Sequence, residues 1–162
     1  MDRYTMLAIA AAAILGSPAQ ADDDVLSLSL GRDRAYTGGN YVGDQTVTGI
    51  ALGLGSSDGL GLDIGYVDFG DIERTVPGTF GAHAWSVGLS YTIDISRRFD
   101  AIFGVGSYWS GSVVRDDHHG YWEVGARYWI SRDLAVSTRF RQYERLIGEQ
   151  HKVSMLSLDW AF

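Results

Sequence analysis

Residues His83–Ile93 read H-A-W-S-V-G-L-S-Y-T-I. Every second residue is large and apolar: Trp85, Val87, Leu89, Tyr91 and Ile93. The residues between them are Ala84, Ser86, Gly88, Ser90 and Thr92. A period of two is the repeat of an extended strand, whose successive side chains point to opposite faces. The segment therefore predicts a strand with one apolar face and one small, polar face. Tyr121–Ile130 repeats the pattern, with Trp122, Val124, Ala126, Tyr128 and Ile130 on one face and Tyr121, Glu123, Gly125, Arg127 and Trp129 on the other.

Outward from these two stretches the same alternation recurs in Leu26–Leu30, Ile50–Leu54, Leu60–Tyr66, Phe99–Val105, Leu134–Phe140 and Leu156–Phe162, which makes eight strands. A soluble sandwich also alternates, so the chemistry of the two faces decides. In a soluble sheet the non-apolar face carries solvated Lys, Glu and Thr. Here that face is dominated by Gly, Ala and Ser, with a few charges of both signs. Such a face suits the narrow lumen of a small barrel. The apolar face of all eight segments carries no Asp, Glu, Lys or Arg, where a charge near a bilayer midplane costs about 2–4 kcal/mol. Aromatic residues gather near strand ends, as interfacial girdles require: Trp85 and Tyr91, Trp122 and Tyr128, Phe99 and Trp109, then Tyr66, Phe140, Trp160 and Phe162.

The links alternate in length too. Ser56–Gly59, Asp94–Arg98 and Ser131–Asp133 are tight, whereas Arg32–Gln45, Asp68–Ala82, Ser110–Gly120 and Glu144–His151 read as longer polar loops. The pattern predicts an all-β, eight-stranded antiparallel up-and-down transmembrane β-barrel with short periplasmic turns, longer outer loops and both termini periplasmic.

Met1–Ala21 has the parts of a secretory signal: Arg3 near the start, an apolar run from Met6 to Leu15, Gly16 and Pro18, and the small-x-small triplet Ala19-Gln20-Ala21. Ten apolar residues span roughly 15 Å as a helix, about half of a hydrocarbon core, too short for an anchor. The expected organisation is a signal peptide over 1–21 and one barrel domain over 22–162. The net charge of −7, with Lys152 the only lysine, lacks the basic patch that nucleic acid needs. The absence of cysteine excludes disulfides, thiolate metal sites and Cys nucleophiles.

With these features together, the chain resembles the small OmpA-like outer-membrane β-barrel family, including the OmpX and opacity-protein types. Gly59–Asp71 (G-L-G-L-D-I-G-Y-V-D-F-G-D) is similar to that family's third strand, and Gly120–Ile130 to its sixth. Val153–Phe162 (V-S-M-L-S-L-D-W-A-F) looks like the terminal signal read by the barrel-assembly machinery, with Leu156, Leu158, Trp160 and Phe162 at alternate positions. The resemblance implies a location in the cell outer membrane, contact with its lipid and lipopolysaccharide, and escort by periplasmic chaperones. It also implies possible contact with a host or surface ligand through the loops. No peptidoglycan-binding domain follows the barrel segment, so a cell-wall tether is not implied.

Asp63, Asp100, Glu123, Arg127, Arg139, Arg141 and Asp159 fall on the small-residue face and are expected to form a structural ion-pair network in the lumen, since buried charges persist only when paired. A gate or a narrow channel is the functional alternative. Arg115-Asp116-Asp117-His118-His119, with His83 and His151, places all four histidines toward the outer rim, where imidazole and carboxylate could hold a divalent metal; no ligand spacing enforces this, so a solvated loop tip is the preferred reading and no metal is assigned. No Ser-His-acid constellation is legible, so no catalytic residue and no cofactor is assigned. A lipid A deacylase type of enzyme and a soluble exported ligand-binding barrel stand as alternatives to a structural, surface-interacting barrel. The signal reading predicts a mature N-terminus at Asp22, checked by intact-mass measurement on protein from the membrane fraction; a species retaining Met1–Ala21 would contradict it.

Overall fold

The computed structural model describes residues 24–55, 59–73, 79–111, 116–146 and 149–162. The segment 1–21, expected as a signal peptide, lies outside the described residues. Eight strands follow in order: β1 (Val25–Thr37), β2 (Asn40–Leu54), β3 (Gly59–Glu73), β4 (Thr79–Ser96), β5 (Phe99–Gly111), β6 (Asp116–Trp129), β7 (Leu134–Leu146) and β8 (Glu149–Ala161). Each pairs antiparallel with its neighbour, and β8 closes onto β1 in an unbroken register from Val25↔Ala161 to Tyr36↔Gln150. The all-β, eight-stranded up-and-down barrel read from the alternation is the fold. Closure pairs each strand on both sides through the apolar belt, as removal of free edges requires; beyond it, at the far end, β2 from Asn40 to Val47 pairs with β1 alone.

The strands run further than the sequence suggested. The stretch Arg32–Gln45, expected as a loop, is a ladder from Arg32↔Thr46 to Thr37↔Asn40. Its turn is Gly38-Gly39, with φ of 57° and 85°. Two consecutive positive φ angles are what a two-residue hairpin turn needs, and glycine adopts them without steric cost. The other links at this end, expected as loops over Asp68–Ala82, Ser110–Gly120 and Glu144–His151, are likewise shortened by ladder, since β3 reaches Glu73, β5 reaches Gly111 and β8 begins at Glu149. Polar residues replace apolar ones on the outward face here, which hides the strand from a hydrophobic reading. The period of two nevertheless persists, with Asp33 and Ala35 buried between exposed Arg32 and Arg34. At the other end, with the termini, β4 and β5 are joined by Arg97-Arg98 alone.

The molecule is apolar outside and mixed inside. Among the described residues, twenty-three large hydrophobic side chains are exposed, including Leu30, Leu60, Leu89, Phe103, Val105, Leu156 and Leu158. Soluble monomers rarely expose apolar patches beyond a few hundred Å², so this exterior is matched to lipid. On β4 the outward apolar row runs from Trp85 to Ile95, roughly 25 Å of height for a strand tilted about 40°, the height of an outer-membrane barrel's apolar band. Tyr66, Trp85, Trp109 and His118 stand on adjacent strands in direct register, forming one girdle.

Glycines set how closely the lumen packs. Gly88 and Gly106 face each other across β4 and β5, and the Tyr121 ring lies over them. A Cβ on Gly106 would sit 2.7 Å from Tyr121 Cε1 and 2.6 Å from Gly88 Cα. Gly106→Val should therefore cost about 1–3 kcal/mol by overpacking, read as a lowered urea midpoint of the lipid-refolded protein. Ser107→Val, on the outward face next door, should be near neutral.

Candidate functional site

The inward face of every strand contributes to one column of side chains that fills the lumen. Its lower part, toward the termini, is charged. Arg127 Nε donates to Asp159 Oδ2 at 3.1 Å and lies 3.9 Å from Asp100 Oδ2. Trp129 Nε1 donates to the same Asp100 oxygen at 2.6 Å, and the Arg127 guanidinium sits 5.3 Å from that indole ring. Higher in the lumen, Arg141 Nε donates to Glu123 Oε2 at 2.8 Å, and Arg141 Nη2 lies 2.7 Å from that same oxygen. Arg139 bridges the two levels, 3.5 Å from Glu123 Oε1 and 3.7 Å from Asp159 Oδ2, and donates to Ser27 Oγ at 3.3 Å.

All seven residues singled out in the sequence point into the lumen and are buried, with Arg127 only 1% exposed and Asp159 fully covered. Their pairing was not legible. Glu123 and Arg127 share a face of β6, but Glu123 is held by Arg139 and Arg141 of β7, while Arg127 turns to Asp159 of β8 and Asp100 of β5. Asp63 is buried facing the same arginines at longer range, with no cation within ion-pair distance among the described residues.

Above the charges the lumen is aromatic. Tyr108, Tyr121, Tyr143 and Phe69 pack with Val47, Val67, Val153 and Met155. Tyr108 meets Tyr143 edge-on at 4.9 Å, and Phe69 meets Tyr143 at 5.6 Å. Arg141 joins the two layers, with its guanidinium 4.4 Å over the Tyr121 ring and Nη1 donating to Tyr143 Oη at 3.3 Å. Phe69, Tyr108 and Tyr143 were missed because they lie beyond the apolar segments; carrying the parity of β3, β5 and β7 two to four residues further would have turned them inward.

The four histidines all lie toward the far end of the barrel but not on one face. His151 is buried in the lumen, where its Nδ1 meets Asp33 Oδ2 at 2.5 Å, Gln45 donates to that same oxygen at 3.2 Å, and the Phe69 ring lies 5.7 Å away. His151 thus stands at the expected end but inside the lumen and not among a rim cluster, because its odd position puts it on the inward face of β8. His83 lies beside the Tyr66 ring, His118 stacks on Trp109 at 5.1 Å, and His119 lies nearer Tyr108. Among the described residues no three His, Asp or Glu groups come together to hold a metal ion; Arg115 of the candidate cluster lies outside them. His151 and Asp33 resemble the acid–base half of a hydrolytic triad, but among the described residues no serine hydroxyl bonds Nε2 to complete it.

The C-terminal residues close the barrel. Leu156, Leu158 and Trp160 project outward, 61%, 48% and 50% exposed, and the Phe162 amide donates to Asp24 O at 3.0 Å.

A closed eight-stranded barrel with an apolar exterior and a charged, filled interior has the architecture of the small outer-membrane barrels. No protein-family model and no curated protein matches the sequence. Solved structures match the fold. Neisserial surface protein A aligns with a TM-score of 0.69 at 10% identity, over 86% of this chain and 97% of that one. Ail, the attachment invasion locus protein of Yersinia pestis, aligns at 0.61 with 12% identity, over 86% and 97%. The N-terminal β-barrel domain of Pseudomonas aeruginosa OprF aligns at 0.58 with 12% identity, over 87% and 100%. At these identities the likeness is one of fold.

Removing Glu123 would leave Arg139 and Arg141 buried without their main counter-charge. Breaking such a pair costs about 3–5 kcal/mol. Glu123→Ala should therefore melt well below the wild type in detergent, whereas Glu144→Ala, on the exposed outer face of β7, should change the midpoint little. Equal melting of the two variants would show that Glu123 is solvated.

Proposed function

We propose that the protein is a small integral protein of the cell outer membrane, with both termini periplasmic. In this reading the far end acts at the cell surface, as a structural and surface-interacting barrel and not as a wide pore. The observation that carries this reading is the inversion of the barrel: a continuous apolar exterior around a lumen filled by Arg127, Arg139, Arg141 and the Tyr108–Tyr121–Tyr143 cluster. Eight strands leave an interior just wide enough for side chains, so conduction of solutes is disfavoured. The same packing disfavours a soluble barrel holding a ligand inside. A lipid-modifying enzyme is the second class, and the incomplete His151–Asp33 pair gives it little support.

The proposed partners are outer-membrane lipid and lipopolysaccharide around the belt, and the barrel-assembly machinery and periplasmic chaperones during biogenesis. Leu156, Leu158, Trp160 and Phe162 would form the terminal signal for assembly. A host or surface ligand at the far end is supported by analogy: Ail, which shares the fold, has been solved with the heparin analogue sucrose octasulfate and in a phospholipid bilayer nanodisc. The lumen's charged residues would serve to hold the barrel together.

Cell fractionation and planar-bilayer recording test the reading together. The wild type should partition with the outer membrane, run as a heat-modifiable band and show no large, stable conductance. Deleting Phe162 should weaken refolding in detergent only modestly, by roughly 1.5–3 kcal/mol, while sharply lowering recovery in the outer membrane. Recovery of wild type as a soluble periplasmic monomer would defeat the membrane reading; full insertion of the truncated chain would defeat the assembly-signal reading alone.

A further inference from the structure

The outward face is not uniform at the far end. On β3 to β6 the apolar belt finishes in the girdle Tyr66, Trp85, Trp109 and His118. On β8, β1 and β2 it finishes at Leu156 and Leu30 and gives way to hydroxyls and cations. Ser154, Thr46 and Thr48 are exposed there, and beside them stand Arg32, Arg34 and Lys152. Lys152 is the only lysine of a chain whose net charge is −7, so three cations on one patch run against the overall balance.

Register puts the cations together. Arg34 is directly opposite Lys152 across the β1–β8 seam. Like charges directly opposite on a sheet destabilise it unless an anion lies between or above them. Arg34's other cross-strand neighbour is Asp44, but the Asp44 carboxylate is taken by Arg32 in an ion pair. Glu144, on the neighbouring strand β7, leans toward Gly120 of β6, its Oε2 3.7 Å from where a Cβ on that glycine would be. Lys152 Nζ is held 4.6 Å over the Tyr36 ring, and Tyr36 in turn meets Tyr41 edge-on at 6.0 Å. The ring orients the ammonium without neutralising it. Among the described residues no carboxylate lies within ion-pair distance of Arg34 or Lys152.

Height places this patch at a headgroup. Arg34 and Lys152 stand in direct register on β1 and β8, four residues beyond the last apolar pair, Leu30 and Leu156. Two residues below Arg32 on β1, Leu30 is 60% exposed, and Leu156 directly across from it is 61% exposed. A ligand on the cations is thus continuous with an apolar strip suited to acyl chains, and the hydroxyls between them suit a sugar.

We propose that the far-end face of β8, β1 and β2 binds the phosphorylated sugar headgroup of an outer-leaflet lipid. Arg34 and Lys152 would take the phosphate, Arg32 would stand beside it, Thr46 and Ser154 would hydrogen-bond the sugar, and Leu30 and Leu156 would lie under the chains. This inference rests on the membrane reading above and gives it a specific lipid contact.

The test is the unfolding midpoint of the full mature protein refolded into phosphatidylcholine bilayers. These contain no addition, diphosphoryl lipid A, or the same lipid A stripped of phosphate. The expected result is a rise in midpoint with the phosphorylated lipid only. R34Q/K152Q should need roughly tenfold more lipid A for half the rise, since each cation near an anionic headgroup contributes about a factor of several in affinity. K152Q alone should show a smaller shift in the same direction and serves should the double variant refold poorly. R98Q/R132Q, at the termini end, should respond as the wild type does. An equal response from R34Q/K152Q and wild type, an equal effect of stripped lipid A, or an equal rise from inorganic phosphate without lipid A would each overturn the proposal while leaving the membrane reading intact. A wild type that fails to enter the bilayer and gives no heat-modifiable band would overturn both.

Discussion

The seam between β1 and β8 is the interaction on which the rest depends. A strand edge in lipid leaves backbone N–H and C=O groups with no partner, at several kcal/mol for each group. Pairing Val25–Tyr36 with Gln150–Ala161 removes both edges at once. Closure then forces the other features. It fixes a narrow interior that side chains must fill, and it turns the alternate residues outward to meet lipid. It also sets Phe162 beside Asp24, so that the first and last described residues hold one another at the same end.

Filling the interior poses an electrostatic problem that this chain answers with near balance. Three arginines face four carboxylates in the charged part of the lumen, and each arginine touches a carboxylate on another strand. Such pairs cross-link β5, β6, β7 and β8 on the lumen side of the ladders that already join them. Desolvating these charges is costly unless every partner stays in place. The aromatic layer above excludes water from one side, and Arg141 is shared by both layers through its contacts with Glu123, Tyr121 and Tyr143. Gly88, Gly104 and Gly106 keep the facing wall of β4 and β5 flat enough for Tyr121 and Glu123 to lie against it.

The two ends of the barrel differ in kind. At the termini end the turns are short and carry Arg97, Arg98 and Arg132 around a mouth that also holds Asp94, Asp100 and Trp129. At the far end the strands continue past the apolar belt as a polar ladder, so surface residues such as Arg34 and Lys152 are held in a rigid register instead of on a loop. A site built on paired strands keeps its charges at fixed spacing, which suits recognition of a headgroup.

The sequence alone determined the strand count, the faces and the order of the strands, because a period of two is a local property of the backbone and the terminal apolar pattern of Leu156–Phe162 marks a closing strand. It also put Glu123, Arg127, Arg139 and Arg141 on the inward side. It misjudged where the strands stop, since Arg32–Gln45 carries polar residues outward and so lacks the apolar signal while keeping the period. Tertiary structure alone decided which charge meets which. The stagger of eight tilted strands brings Asp159 to Arg127 and Arg141 to Glu123, and it buries His151 against Asp33. Those pairings depend on the register between neighbouring strands, which sets Glu123 opposite Arg141 and Asp100 opposite Arg127, and no single strand's sequence encodes that register.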